Sequence, residues 1–284
     1  MRGKPRVLVT GGGGQLATAI QNLEDTGFIF KFATRSELDL TKPDQVAEFI
    51  AQWKPDVIIN TAAYTQVDQA EEKSELAYSI NEGGVKNLIE AIEGRATALI
   101  HLSTDYVFDG QKRTPYTEED QPNPISVYGA SKRAGEEVIL RSKLKKYAIV
   151  RSSWVYSEYG HNFYKSVLAK AQRGMELRVV GDQIGSPTSA SSLAAALITM
   201  IPQMDETNKG IYHFSNEGSA SWYAFAKAIV QQDFPTSEVT PIPTSHLALT
   251  AKRPAYAVLD SCKIKSMFGV ANEPWEVVLN KMQQ

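Results

Sequence analysis

The chain has 284 residues, of which 43% are apolar and 22% charged, and its 30 basic residues nearly balance its 32 acidic ones, for a formal net charge of −2. This length allows one large or two modest domains with a substantial core. The near-zero net charge excludes a general electrostatic attraction to nucleic acid or to an anionic membrane. No apolar run approaches the ~20 residues of a membrane helix. A single cysteine excludes an internal disulfide, so we expect a cytoplasmic protein.

The first half of the chain alternates short apolar runs with helical patterns. Strands are predicted at residues 6–10, 28–33, 56–60, 98–103 and 148–151, and helices are predicted from Gln15, behind Thr41 and around Val85. The helix behind Thr41 is indicated by a capping hydroxyl, by Pro43 in its first turn and by an apolar face with helical spacing. Strands separated by such helices imply right-handed βαβ units and a parallel sheet covered on both faces.

We therefore predict an α/β fold with a doubly wound, Rossmann-like parallel sheet, although the order of its strands is not visible in the sequence. After Arg151 the alternation breaks, and the chain becomes polar, aromatic and dotted with glycine and proline. We assign residues 1–151 to a nucleotide-binding domain, with returning segments from about 189–215. Residues 152–284 are assigned mainly to a smaller α/β unit that binds substrate.

Four consecutive glycines follow the first predicted strand. The segment Gly11–Gly14 leads directly into Gln15, Leu16 and Ala17 at the start of a helix. Glycines permit the tight turn and the close approach of backbone amides to a pyrophosphate, and a small third residue lets the helix pack on the strand. The spacing differs by one residue from the usual dinucleotide fingerprint, and a purely structural glycine turn is the alternative. No Gly-Lys-Ser/Thr follows, which excludes a P-loop.

The end of the second predicted strand indicates which cofactor binds. An acidic residue that binds ribose is expected there, but the sequence has Thr34, Arg35 and Ser36. An arginine and a hydroxyl suit a 2′-phosphate, which favours NADPH over NADH; a solvated surface arginine is the alternative. Asp39 is expected either to reach the adenine edge or to cap a turn before Thr41.

A tyrosine and a lysine lie four residues apart on a predicted helix. Tyr128 and Lys132 therefore share one helix face, and a nearby ammonium is expected to lower the tyrosine pKa and make the phenol a usable general acid. Ser103 and Thr104 follow a predicted strand at its carboxyl end, where ligands bind in such sheets. A hydroxyl there can hydrogen-bond the same substrate oxygen. None of the four histidines has the spacing of a metal ligand, so all are expected to be structural.

Together these motifs resemble the extended short-chain dehydrogenase/reductases and, within them, the dTDP-4-dehydrorhamnose reductase family. The resemblance spans essentially the whole chain, and its most family-specific blocks are Ser103–Phe108 (Ser-Thr-Asp-Tyr-Val-Phe) and Asp182–Thr188 (Asp-Gln-Ile-Gly-Ser-Pro-Thr). The resemblance implies NADPH-dependent reduction of the C4 ketone of dTDP-4-dehydro-L-rhamnose, with NADH as a possible cofactor. Alternatives are another reductase, epimerase or dehydratase of nucleotide sugars in the same superfamily, or a non-catalytic NADP-binding regulatory subunit.

The resemblance also implies roles for individual residues. The catalytic group would be Thr104, Tyr128 and Lys132. The cofactor would contact the catalytic tyrosine and lysine together with Gly11, Gly14, Gln15, Leu16, Arg35, Asp39, Leu40, Ala62, Ala63, Tyr64 and Asn81. The sugar nucleotide would contact Thr104, Asp105, Tyr106, Trp154, Asn162, Ile184, Ser186 and Arg253. Some relatives hold a metal at a dimer interface through a glutamate, which corresponds to Ala19 here, so no required metal is expected. A monomer or a homodimer is expected.

Overall fold

The structure is a computed structural model that describes residues 3–24 and 26–284; Met1, Arg2 and Asp25 lie outside the described residues. Its strands are β1 Arg6–Thr10, β2 Ile29–Ala33, β3 Val57–Asn60, β4 Ala98–Thr104, β5 Tyr147–Ser152, β6 Val155–Tyr156, β7 Leu177–Val180, β8 Ile184–Gly185, β9 Thr188–Ser189, β10 Gly210–His213, β11 Ala220–Ser221 and β12 Val239–Ile242. Its α-helices are α1 Gln15–Gln21, α2 Pro43–Trp53, α3 Val67–Glu72, α4 Ser74–Tyr78, α5 Gly84–Ile92, α6 Val127–Arg141, α7 Phe163–Gln172, α8 Ala190–Met200, α9 Trp222–Asp233, α10 Cys262–Phe268 and α11 Trp275–Met282.

Six parallel strands form the central sheet in the order β2-β1-β3-β4-β5-β10. The doubly wound prediction is confirmed, and the structure supplies the strand order. Because the chain leaves β1 to one side for β2 and returns on its other side for β3, the carboxyl ends of β1 and β3 flank a crevice. The glycine turn follows β1 and therefore lies at this crevice.

Both faces of the sheet are buried, as its nearly continuous apolar strands require. Val7 and Val9 of β1 point into a core shared with α1 and α8, whereas Leu8 points into a core shared with α2, α5 and α6. The strand positions agree with prediction to within one or two residues. One detail is wrong: Thr41 does not cap α2, because Lys42 is the N-cap residue and the Thr41 hydroxyl donates to Asp39 instead.

The second half of the chain builds a smaller layer beside the sheet. Here β7 pairs in parallel with β12, and helices α7, α9 and α11 surround an aromatic core that includes Phe225 and Trp275. Segments after residue 152 also return to the sheet: α8 packs on α1, β10 pairs with β5, and Ile264 and Phe268 of α10 join the sheet's core. The residue ranges assigned to the two units stay a prediction. Among the described residues, no helix has the length and apolarity needed to span a bilayer.

Candidate active site

A cleft of about 500 Å³ runs from the glycine turn to the tyrosine and lysine of α6. It opens at the crevice between β1 and β3, where a doubly wound sheet binds its ligands. Most of the predicted cofactor residues line it, namely Gly11, Gly14, Gln15, Leu16, Arg35, Asp39, Leu40, Ala62, Ala63, Tyr128 and Lys132. Tyr64 and Asn81 are not among the residues that line it. The cleft therefore connects the glycine turn, predicted to bind the cofactor's phosphates, with the predicted catalytic tyrosine and lysine.

The glycine turn has the conformation that only glycine adopts without strain. Gly11 has a φ of +70°, and a Cβ there would lie 3.0 Å from the backbone of Ala62. α1 begins at Gln15 directly after the turn, with no acidic side chain in its first turn. The free amides of such a helix start and the exposed turn fit the phosphates of a dinucleotide.

Arg35 and Asp39, which follow β2, also line the cleft. Asp39 accepts hydrogen bonds from the backbone N–H and the hydroxyl of Thr41, and these bonds lower its pKa. Asp39 therefore caps the turn before Thr41, which is one of its two predicted roles. The Arg35 side chain is 70% exposed, and its Nε lies 3.8 Å from Asp39 Oδ2. Glu37, the other acid here, is paired with Lys31. Arg35 is thus loosely held and available to an anion.

Asn81 organises the site from behind. It lies in a π-helical turn, Ser79–Gly83, and its amide bonds both backbone polar groups of Tyr64 and the hydroxyl of Ser131. Ser131 in turn donates to the carbonyl oxygen of Tyr128. Asn81 therefore ties the loop after β3 to the first turn of α6, and its predicted contact with the cofactor stays a prediction.

A hydrogen bond joins the side chains of Thr104 and Asp105 at the end of β4. The Thr104 hydroxyl donates to Asp105 Oδ1 over 2.9 Å and accepts from the backbone N–H of Tyr106 over 3.2 Å. Burial raises the pKa of Asp105 to about 7. Its other oxygen, Oδ2, is buried without a hydrogen-bond partner among the described residues. Because a hydroxyl has a single proton, Thr104 is free to donate elsewhere only when Asp105 releases it.

Tyr128, in the first turn of α6, lies beside Thr104 and Asp105. Its ring packs edge-on against Tyr106, with centroids 5.4 Å apart. The expectation that Lys132 lowers its pKa is wrong for this structure: burial raises the pKa of Tyr128 to about 12, and the Thr104 hydroxyl opposes that rise. Gly129, next in sequence, allows the contact, because a Cβ there would collide with the carbonyl oxygen of Tyr106.

Lys132 lies one turn further along α6 and is 2% exposed. Its Nζ donates to the carbonyl oxygen of Leu102 over 2.6 Å and lies 3.4 Å from His101 Nε2. Burial lowers the pKa of Lys132 to about 8, while Glu136 on the following turn opposes that change. Its ammonium is therefore near the point at which it loses its proton.

A buried ion pair behind Lys132 was missed from the sequence. Glu136 accepts from Arg151 Nε over 2.8 Å and Nη2 over 2.7 Å, and also from Ser103 and Arg133. Glu136 and Arg151 are fully buried, so the pair fastens α6 to β4 and β5. One signal could have found it: Glu136 is four residues after Lys132, on the helix face that packs against the sheet.

Arg253, which is predicted to contact the sugar nucleotide, is held by Asp68 at the start of α3. Its Nη1 and Nη2 donate to the two carboxylate oxygens over 3.0 and 2.6 Å, and the same carboxylate accepts from the backbone N–H groups of Thr250 and Ala251. The Tyr106 hydroxyl also faces the guanidinium. The fork of contacts fixes the direction of the cation. The sequence did not identify Asp68 as a site residue.

Trp154 stacks on Trp222 with centroids 3.6 Å apart and an angle of 10° between the rings. Its φ of +48° is rare for a bulky residue, and its indole fills the space over Gly185. Trp222 also borders a second cavity, of about 280 Å³, together with Phe163, Lys170, Arg178 and Arg253. Aromatic faces and cations around one cavity suit a base and a diphosphate.

The other predicted substrate residues have protein partners. Asn162 caps α7 through the N–H of Lys165 and donates to Gln15 Oε1 over 2.8 Å. Ser186 is 1% exposed and donates to the carbonyl oxygen of Gly218. Ile184 pairs through its backbone with residues 255–257. In this structure these three hold loops together, and their contact with substrate stays a prediction. Within residues 3–24 and 26–284, no group of three His, Cys, Asp or Glu side chains is placed to hold a metal.

Comparison with known proteins agrees with this geometry. A family model described as "RmlD substrate binding domain" matches residues 5–284. The dTDP-4-dehydrorhamnose reductase of Aggregatibacter actinomycetemcomitans is 43% identical over 98% of both chains, and that of Sinorhizobium fredii is 41% identical over 95% of this chain and 94% of its own. A crystal structure of the Bacillus anthracis dTDP-4-dehydrorhamnose reductase in complex with NADP superposes with a TM-score of 0.92, at 37% identity over 99% of both chains. The chain therefore belongs to the dTDP-4-dehydrorhamnose reductase family.

Proposed function

We propose that this protein reduces the C4 ketone of dTDP-4-dehydro-L-rhamnose to the alcohol of dTDP-L-rhamnose, with NADPH as the reductant. Family membership over nearly the whole chain supports the reaction and the substrate. The observation that carries the proposal is that Tyr128 and Lys132 line one end of a cleft that begins at the glycine turn, with the Thr104 hydroxyl beside Tyr128.

NADPH would be held along this cleft, and when bound it supplies the hydride. The glycine turn would receive the pyrophosphate, and the loosely held Arg35 would pair with the 2′-phosphate. Ala62 and Ala63, which have small side chains, would let the cofactor lie against the loop after β3. The ammonium of Lys132 would donate to the ribose hydroxyls.

Tyr128 would give its hydroxyl proton to the substrate oxygen at C4 as negative charge develops there. Burial supports this role, because a phenol whose pKa is raised to about 12 keeps its proton at neutral pH until a stronger base forms beside it. Thr104 would donate a second hydrogen bond to the same oxygen when Asp105 is protonated. Donors placed where charge develops are each worth roughly 3 kcal/mol of barrier.

The diphosphate and the base of the substrate, which lie far from the ketone, would bind on the smaller unit built by the second half of the chain. The diphosphate would pair with Arg253, whose position is fixed by Asp68, and the base would meet the aromatic wall beside Trp222. Binding at a distance from the ketone would position C4 against Tyr128. The near-zero net charge supports a protein without a nucleic-acid partner, and the single cysteine supports a cytoplasmic one. We propose that it acts as a monomer or homodimer.

The test is the rate of NADPH oxidation with dTDP-4-dehydro-L-rhamnose, with NADH and the UDP-linked sugar in parallel. Tyr128→Phe should lower kcat by about 10²–10⁴ and leave the NADPH dissociation constant unchanged. Tyr156→Phe is the matched control, because its buried hydroxyl lacks a partner among the described residues, and its rate should equal that of the wild type.

Three results would contradict the proposal. Equal rates for the wild type and Tyr128→Phe would show that Tyr128 is not the proton donor. NAD that stays bound through purification, with inversion at C4 instead of reduction, would indicate an epimerase. Tight NADPH binding without oxidation by any keto-sugar nucleotide would indicate a regulatory subunit.

A further inference from the structure

A row of buried polar side chains crosses three neighbouring strands, β1, β3 and β4, and ends at Lys132. The Thr10 hydroxyl donates to Asn60 Oδ1 over 2.6 Å, Asn60 Nδ2 lies 3.0 Å from His101 Nδ1, and His101 Nε2 lies 3.4 Å from Lys132 Nζ. All four residues are at most 2% exposed. The same Thr10 receives a hydrogen bond from Thr61 at its carbonyl oxygen, directly before the glycine turn. This row of side chains thus connects the turn that would bind phosphates with the lysine that would bind ribose.

From this geometry we propose that His101 is a positioning residue for Lys132: its ring and the carbonyl oxygen of Leu102 hold Nζ between them and aim the remaining N–H at the cleft. The inference rests on the proposed function, because it assigns the aim of a lysine that would hold NADPH. It would give His101 a role beyond the structural one expected for all four histidines.

The hydrogens of the two side chains determine which ring nitrogen must accept. A lysine ammonium has three donors and no acceptor, and a neutral imidazole has one nitrogen of each kind. One lysine hydrogen goes to Leu102, so a second needs an acceptor at His101 Nε2, which places the ring hydrogen on Nδ1. In the structure, the Asn60 amide turns Nδ2 toward His101 Nδ1. The proposed tautomer requires this amide turned by about 180°, so that Oδ1 accepts from Nδ1 and the Thr10 hydroxyl accepts from Nδ2. The third lysine hydrogen is left for the cleft.

The ring remains a neutral acceptor over the working pH range. Burial and the positive charge of Lys132 hold the pKa of His101 well below its usual value. Among the described residues, the charged and titratable groups that act on this pair are the two themselves and Glu136, whose carboxylate raises the lysine pKa against its burial. Removing the ring nitrogen leaves a buried ammonium hydrogen without a partner, which disfavours the charged lysine.

A histidine that only filled the core would be replaceable by any residue of similar volume. The chain offers a matched comparison in His213, which is equally buried but contacts Arg151 and the carbonyl oxygen of Tyr116. His101→Leu and His213→Leu each remove a buried ring, and only the first removes a partner of Lys132. His101→Gln restores an amide oxygen within reach of Nζ.

The experiment measures NADPH binding alone, by quenching of tryptophan fluorescence between pH 6 and 10, and kcat over the same range. His101→Leu should weaken NADPH binding about tenfold at pH 7, the lower end of the cost of an unsatisfied buried donor. The pH above which binding is lost should also fall. His101→Gln should return within about threefold of wild type, and His213→Leu should lose stability with an unchanged dissociation constant.

Equal dissociation constants and pH profiles for the two leucine variants would overturn the inference, as would a failure of His101→Gln to restore binding. Should His101→Leu fail to fold, long-range ¹H–¹⁵N NMR of the wild type decides. A hydrogen on Nδ1 at pH 6.5 is expected, and a hydrogen on Nε2 would refute the arrangement. Failure of the proposed function is distinguishable, because wild-type protein would then bind NADPH without oxidising it in the presence of the sugar nucleotide.

Discussion

The contact between α6 and the turn after β4 gives a sharp test, because a single methyl group should disturb both stability and rate. In Gly129→Ala the new Cβ meets the carbonyl oxygen of Tyr106, a backbone atom that cannot rotate away, and lies near Pro124 Cβ at 3.2 Å. Real Cβ atoms keep at least 3.0 Å from such an atom, so the helix and the turn must separate by on the order of 1 Å.

The magnitude follows from two opposing effects. Overpacking costs about 1–3 kcal/mol, and alanine in a helix regains about 0.5–1 kcal/mol over glycine. From the midpoints of these two effects, the free energy of unfolding should fall by about 1 kcal/mol, and at most by about 2.5 kcal/mol. Tm should then fall by about 2–10 °C. Because Tyr128 is the preceding residue, a displacement of about 1 Å should lower kcat about 10²-fold.

The control is Gly83→Ala, in the helical segment before α5. Gly83 has a φ of −59°, and its new Cβ would lie 3.9 Å from the nearest atom, the carbonyl oxygen of Tyr78. This variant should keep kcat and gain up to about 1 kcal/mol of stability. Both variants are compared by urea unfolding and by steady-state NADPH oxidation. Wild-type stability and kcat in Gly129→Ala would show that the close contact does not position Tyr128.

Two further predictions concern charge. Asp105 has an unfolded pKa of 3.8 and a folded pKa of about 7, so its favourable contribution is complete below pH 3.8 and is lost as the pH rises through 7. Asp105→Asn should thus stabilise the protein at pH 8 by up to about 4 kcal/mol and little at pH 4, by urea unfolding; an equal gain at both pH values would contradict the burial argument. Arg253→Lys loses the two-pronged contact with Asp68 and should raise KM for the sugar nucleotide about tenfold without changing NADPH affinity. An unchanged KM, or a fall in NADPH affinity, would refute that role.

Local patterns in the sequence determined a large part of this protein. The apolar runs and helical spacings predicted the parallel sheet, and the glycine turn and the Tyr128–Lys132 interval predicted the two ends of the cleft. Each of these features depends on residues within one strand, turn or helix, whose periodicity is fixed by backbone geometry. The family motifs added the reaction, and the comparisons agree with it.

Other features of the site depend on contacts between distant parts of the chain. Arg253 pairs with Asp68, 185 residues away, and the sheet order that places β3 between β1 and β4 is invisible in any local pattern. The direction of the Tyr128 pKa was mistaken for the same reason: helical spacing places Lys132 on the same face, but burial decides which protonation state is favoured. Sequence thus determined which groups are present and on which elements, whereas only tertiary packing decided which groups meet and which of them keep their charge.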